Sequence, residues 1–288
     1  MNEFVIYADS GCDMPPETLK EWGITYASLI YRFEDENREY LNGDQPSKEF
    51  YDRMREGAVA TTSAVNMETF KTSFRPALTE GKDILYIGFS SGLSTTYNSA
   101  RLAAEELKEE FPEREIITVD SLAASAGYGL LLYFAKEKKA AGATIREVAE
   151  YIESIRLNLC HWFTVDDLKY LKRGGRISPT VALVGSLLGI KPVLHVDDEG
   201  HLINITKVRG RTAALTALSD KIGELAGGKP EGPIYICNAD CPQDVETLKG
   251  IISEKYGLPV DMVVDTGAVI GAHSGPGTIA LFFLGEKR

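Results

Sequence analysis

The chain has 288 residues, 44% of them hydrophobic and 25% charged, which is enough apolar material for a sizeable core and excludes extended disorder. A formal net charge of -11 argues against a general nucleic-acid surface. The opening MNEFVIYADS lacks a basic stretch leading into a long apolar run, and no segment has the length of a membrane span. A soluble cytoplasmic protein with at most transient membrane contact is expected.

In chain order, Phe4 to Ala8 reads as a buried strand, followed by the Asp9-Ser10-Gly11 turn. Pro15 and Pro16 are suited to start a helix that carries Glu17 to Trp22. Ile24 to Phe33 is β-rich, Glu34 to Gln45 reads as a hairpin or surface loop, and Ser47 is placed to cap a helix holding Phe50, Tyr51 and Met54. Ile84 to Phe89 is a compact strand, Thr95 to Glu110 a long helix, and Ile116 to Val119 another strand. Helices are expected over Ala123–Ala140 and Thr144–Ser154, with Glu147 completing a capping box. Strand and helix in alternation predict a Rossmann-like parallel sheet covered on both faces over residues 1–155.

The remainder, 156–288, has a different texture and predicts an α+β domain. Phe163 to Asp166 reads as a short strand and Thr180 to Leu188 as a helix. Ile190 to Val196 and His201 to Val208 flank the strong turn Asp197-Asp198-Glu199-Gly200, which is a β-hairpin signature. Helices over Arg211–Leu225 and Val245–Tyr256 alternate with strands over Ile234–Cys237, Val260–Thr266 and Leu281–Leu284. Cys12, Cys160, Cys237 and Cys241 do not form a zinc pattern and are expected to be reduced thiols.

Three segments carry hydroxyls where a ligand could meet them: Thr61-Thr62-Ser63 and Ser90 to Thr96, which are crowded with them, and Ala272 to Gly277, where Ser274 stands beside His273. Loops at the carboxyl ends of strands line the crevice of an open α/β sheet, and a helix start offers free N–H groups to an anion. Plain N-capping explains Ser94 by itself, and Thr61 to Ser63 are open to the same reading as a cap or surface loop for a helix near Glu68. Capping does not explain five hydroxyls within seven positions at 90–96. His273 lies in a turn punctuated by glycine and proline, where an imidazole has no obvious structural duty. His161, His195 and His201 have weaker claims beside strand patterns. Asp9, Asp13, Asp120 and Asp265 stand near strand ends, which suits magnesium or general-base work, while for Asp13 and Asp265 the reading preferred is a carboxylate that serves a turn. GxGxxG, Walker A, GxSxG and HExxH motifs are absent. A nucleophilic set of Ser94, His273 and Asp120, acting on a lipid or ester, stays open as the rival reading. A regulatory protein binding another small anion is a third.

Together, several motifs resemble the DegV family of fatty-acid-binding proteins. They are Asp9-Ser10-Gly11-Cys12-Asp13, Thr62-Ser63, Gly88 to Tyr97, Val119-Asp120-Ser121, Leu171 to Ser178, Lys191-Pro192, and Gly271 to Gly277. Ala64-Val65 in place of Gln-Pro, and Thr95 in place of glycine, depart from the family pattern and bear on ligand preference. The resemblance implies two domains, a Rossmann-like one and an α+β one, with a long-chain fatty acid between them. It implies that the carboxylate meets Thr62, Ser63, Ser94 and His273, with Ser91 nearby, and that no cofactor is needed. It further implies a binding subunit rather than an enzyme, which presents the acid to a fatty acid kinase catalytic subunit. Arg173 and Arg209 would face that partner. Leu183, Val184, Leu187 and Leu188 are candidates to line the tail or simply to pack.

Overall fold

The computed structural model describes residues 3–177 and 189–288. The expected helix over Thr180–Leu188 and the tail candidates Leu183, Val184, Leu187 and Leu188 lie outside the described residues.

The first half is built on a four-stranded, all-parallel sheet. Its members are β1 (Phe4–Asp9), β2 (Ile24–Ala27), β6 (Asp83–Gly88) and β7 (Ile116–Asp120), in the spatial order β2-β1-β6-β7. Every residue of β6 is buried, and its run Ile84–Ile87 has the apolar character of a strand covered on both faces. Between β2 and β6 the chain makes a second, antiparallel sheet that the sequence pattern only hinted at. It has β3 (Ile30–Phe33) at its centre, flanked by β4 (Tyr40–Leu41) and β5 (Ala60–Ser63).

The helices of this half are α1 (Pro16–Glu21), α2 (Ser47–Arg55), α3 (Met67–Thr79), α4 (Thr96–Glu110), α5 (Ser125–Ala140) and α6 (Ile145–Ile155). The α6 capping box is present as expected, with Thr144 and Glu147 bonding each other's backbone. Two caps differ from expectation. Pro46, not Ser47, occupies the cap position of α2, and Asn66 caps α3 through the Thr69 N–H. Thr61 to Ser63 therefore cap nothing, since they form strand β5.

The second half carries a mixed six-stranded sheet in the order β10-β9-β8-β13-β11-β12. Its strands are β8 (Leu159–Thr164), β9 (Ile190–Val196), β10 (Leu202–Arg209), β11 (Glu231–Asn238), β12 (Met262–Asp265) and β13 (Ile279–Leu284). The β9–β10 hairpin turns where expected, because the Asp197 carboxylate accepts the N–H groups of Glu199 and His201. The helices are α7 (Lys169–Arg173), α8 (Arg211–Ala226), α9 (Pro242–Tyr256) and α10 (Ala268–Ser274).

Side chains alternate across β8 and β13 with period two. Cys160, Trp162, Leu281 and Phe283 pack with Leu215, Leu218 and Ile222 of α8 in one core. Phe163, Ala280 and Phe282 join the large core shared with the first half. His161, Phe163, Ala280 and Phe282 also line a cavity on that inner face. Among the described residues, no helix is long and apolar enough to cross a membrane.

Candidate functional site

The sheet order places the topological reversal of the parallel sheet between β1 and β6, so the loops after these two strands flank its crevice. Asp9, at the end of β1, ties the loops together. One carboxylate oxygen accepts the Gly11 N–H at 2.9 Å, and the other accepts the Phe89 N–H at 2.9 Å and the Tyr86 hydroxyl at 2.7 Å. Burial drives its pKa up to about 6 against the pull of these bonds. Asp9 thereby has a structural task, as its strand-end position suggested.

The serine loop after β6 is ordered by its own hydroxyls. Buried Ser90 donates to the Gly200 carbonyl at 2.9 Å and accepts the Gly92 N–H at 3.2 Å. A Cβ on Gly92 would lie 2.8 Å from the Glu199 carbonyl oxygen, so glycine lets the tip of the β9–β10 hairpin rest on this loop. Ser94 accepts the Thr96 N–H at 3.2 Å and pairs with the Thr96 hydroxyl at 2.9 Å. The capping reading of Ser94 thus holds in part, yet its side chain also lines the cavity. Ser91 lines the rim, with its N–H held by Asp120 at 3.2 Å.

His273 is not in a turn but in α10, with Gly275 ending the helix. Tyr51 donates to the Thr266 carbonyl at 2.7 Å, and Asn42 accepts the Val269 N–H at 3.1 Å, so the inserted antiparallel layer and α2 hold this helix in place. Thr62 of β5 faces it, with Oγ1 2.8 Å from His273 Nε2. His273 Nδ1 rests against Gly174, where a Cβ would come within 2.0 Å, and has no hydrogen-bond partner among the described residues. This close approach explains the first glycine of Lys172-Arg173-Gly174-Gly175-Arg176. A buried N–H without an acceptor is costlier than an unused lone pair, so the proton belongs on Nε2 and Thr62 Oγ1 accepts it. The Thr62 hydroxyl proton is then free to point at a ligand. Burial, with smaller contributions from the Arg176 and Arg173 charges, lowers the His273 pKa to about 4, which makes the ring neutral at neutral pH.

Thr62, Ser63, Ser91, Ser94 and His273 all line one cavity of about 950 Å³, near the upper end for small-molecule sites. Its wall is largely apolar, with Leu29, Phe89, Phe163, Val269, Ala280 and Phe282 among its members. Residues of both halves contribute, so the structure brings the five candidates from three separate segments to one place. Arg173 and Arg209 are exposed and lie outside the lining. The Arg173 guanidinium sits 5.3 Å from the Tyr170 ring centre.

The possible nucleophilic set does not assemble. Asp120 accepts the N–H groups of Ser91 and Leu122, while His273 faces Thr62 rather than Ser94. Sequence reasoning missed one lining residue, Arg176, which lies in the Leu171 to Ser178 motif without a role assigned to it.

Residues 3–286 match the sequence profile of the DegV family, described as uncharacterised proteins. A DegV domain-containing protein of Clostridium perfringens is 44% identical, covering 100% of this chain and 99% of its own length. Among solved structures, a DegV lipid-binding protein from Thermotoga maritima is 32% identical with a TM-score of 0.86, over 99% of both chains. A DegV-family protein from Thermus thermophilus, whose structure is described by its fatty-acid binding, is 31% identical with a TM-score of 0.86. That match covers 99% of this chain and 100% of the Thermus chain. By profile, sequence identity and fold over essentially its whole length, the chain belongs to the DegV family.

Proposed function

We propose that this protein binds a long-chain fatty acid and presents its carboxylate to a partner kinase for conversion to an acyl phosphate. The observation that carries the binding half is the Thr62–His273 pair set in the wall of a large, mainly apolar cavity. The Thermus and Thermotoga relatives, which bind fatty acid and lipid, support the same reading. In it Thr62, Ser63 and Ser94 donate hydroxyls to the carboxylate, His273 orients Thr62, and Ser91 contributes at the rim.

The energetics divide the labour. A buried methylene contributes about 0.8 kcal/mol, so a long acyl chain offers roughly 10 kcal/mol before association costs. A hydrogen bond to a charged group adds about 1.5–3 kcal/mol. The tail supplies the affinity and the polar cluster fixes which end meets the partner. Arg173 and Arg209, exposed outside the cavity, are assigned to a fatty acid kinase catalytic subunit, which would bring the nucleotide and metal.

Native mass spectrometry of protein purified from cells should show a bound long-chain acyl species. Absence of such a species, with no uptake of added hexadecanoate, would sink the binding assignment. With the kinase subunit, nucleotide and magnesium, the loaded protein should yield an acyl phosphate that hydroxylamine traps. R173A and R209A should lose that yield while keeping their affinity for the acid; unchanged yield in both removes them from the partner surface.

A further inference from the structure

His161 lies on the inner face of the six-stranded sheet, away from the hydroxyl cluster. Its partner across β8 and β13 is Phe282, and the next inward pair is Phe163 with Ala280; all four line the cavity. Thr278, which also lines it, donates its hydroxyl to the Ser274 and Gly275 carbonyls and so sits at the His273 end. A strand rises about 3.3 Å per residue, which puts the His161–Phe282 pair roughly 13 Å along the cavity from Thr278. The ring therefore stands where the body of a ligand passes, well beyond the place that holds its head group.

One polar atom of this imidazole is unused. Nδ1 lies 3.1 Å from the Leu159 carbonyl, and a carbonyl only accepts, so Nδ1 carries a proton. Burial holds the pKa of the ring well below the usual histidine range, which leaves the second nitrogen a bare lone pair. His161 is 1% exposed, and its Nε2 has no hydrogen-bond partner among the described residues. Helix α5 passes the ring at Gly127, where a Cβ would come within 2.4 Å of Nε2, so glycine keeps a side chain off that atom. Ser125, two residues earlier and also in the lining, is committed to Asp13 at 2.6 Å. The Phe282 ring, 5.4 Å away and perpendicular, has no N–H or O–H to offer. A buried acceptor without a donor calls for a physical reason.

We infer that His161 Nε2 is the acceptor for a hydroxyl carried on the acyl chain, so that the cavity takes long-chain hydroxy-acids whose hydroxyl stands well beyond the carboxylate. This rests on the proposed fatty-acid binding and names a substrate class within it. A hydroxyl buried against apolar walls loses its bonds to water, and only a fixed acceptor at the right depth restores one. The side chains of Phe163, Ala280 and Phe282 supply none, so His161 decides whether a substituted chain is tolerated. A neutral imidazole suits a neutral hydroxyl, and a plain chain still binds at the modest cost of one unused lone pair.

The test compares octadecanoate with its 2-hydroxy, 10-hydroxy and 12-hydroxy derivatives, which share length and head group. Wild-type protein should bind at least one of the two distal hydroxy-acids no more weakly than octadecanoate. His161→Phe should weaken that hydroxy-acid at least about tenfold, the scale of a buried hydroxyl left unpaired, and change octadecanoate by less than about twofold. The 2-hydroxy acid, whose hydroxyl lies by the head group, should respond to the substitution as octadecanoate does. In the wild-type complexes, 15N NMR of labelled histidine should show the Nε2 signal moving from that of a bare acceptor towards that of a hydrogen-bonded one when the distal hydroxy-acid replaces octadecanoate. An Nε2 signal that is the same with both acids, as a trapped water would give, overturns the inference. Equal losses for every acid in the variant, or wild-type rejection of both distal isomers, overturn it too. Failure of wild type to take up octadecanoate itself would instead overturn the fatty-acid reading beneath it. The NMR comparison decides the matter even if the phenylalanine variant does not fold.

Discussion

Replacing Thr62 with valine tests the centre of the site with little change in shape. Both residues are β-branched and suit a strand, so β5 should survive. The change deletes Oγ1, the sole hydrogen-bond partner of His273 among the described residues. An orphaned buried donor costs about 1–3 kcal/mol, which sets the expected loss of unfolding free energy in the empty protein. Binding loses a donor to a charged group, about 1.5–3 kcal/mol, or roughly 10- to 150-fold in Kd. The tail contribution is untouched, so binding should weaken but persist. For 1-hexadecanol the loss should be smaller, about 0.5–1.5 kcal/mol, because neither partner is charged. Displacement of a fluorescent fatty acid gives the affinities, and urea unfolding gives the stability. Thr62→Ser, which keeps the hydroxyl, should lie close to wild type. If Thr62→Val binds hexadecanoate within twofold of wild type, the assigned direction of the hydroxyl proton is wrong.

Gly174→Ala should displace His273, since the added Cβ would come within 2.0 Å of Nδ1; acid affinity should fall by about the Thr62→Val amount, and unaltered binding would refute the packing role given to that glycine. Asp13, buried and donated to by Ser125 at 2.6 Å, has its pKa raised to about 7 by burial. Its folded-state pKa exceeds the unfolded value of about 3.9, so its contribution to stability is present below pH 4 and is lost as pH rises through 7. Asp13→Asn should therefore gain on wild type by a few kcal/mol across that window in urea unfolding, and a flat difference would count against it. For His273 the sign reverses. Its lowered pKa means stability is lost as pH falls from about 6.5 towards 4, and proton NMR of the imidazole should show a neutral ring throughout pH 5–8.

Elements governed by local chemistry were legible in the sequence. The Thr144–Glu147 box, the Asp197 turn and the apolar run Ile84–Ile87 of β6 each require nothing beyond neighbouring residues. The site was legible in residue identity more than in placement. Thr62 belongs to a four-residue strand, Ala-Thr-Thr-Ser, too short and polar to show alternation; pairing with β3 makes it a strand. His273 sits in a seven-residue helix containing a glycine and held by Asn42 and Tyr51, contacts more than 200 residues distant in sequence. Arg176 has no local signal that separates it from exposed Arg173, and the turn at Gly174-Gly175 places it in the cavity lining. In all three cases tertiary contacts outweigh weak local propensity.

The same crevice shows why this Rossmann-like half lacks a phosphate cradle. In dinucleotide-binding proteins with a doubly wound sheet, the N–H groups after the first strand meet an anionic ligand. Here the chain supplies its own carboxylate, because Asp9 takes the Gly11 and Phe89 N–H groups and is fully buried. An anion arriving from solvent finds those donors already committed and an acidic side chain behind them. The remaining donors lie at the outer edge of the crevice, on β5, the serine loop, α10 and the turn after α7. They come from both halves of the chain and open onto apolar walls rather than onto a groove suited to ribose. A ligand fitted to that arrangement would have one small polar end beside Thr62 and His273 and a long apolar body.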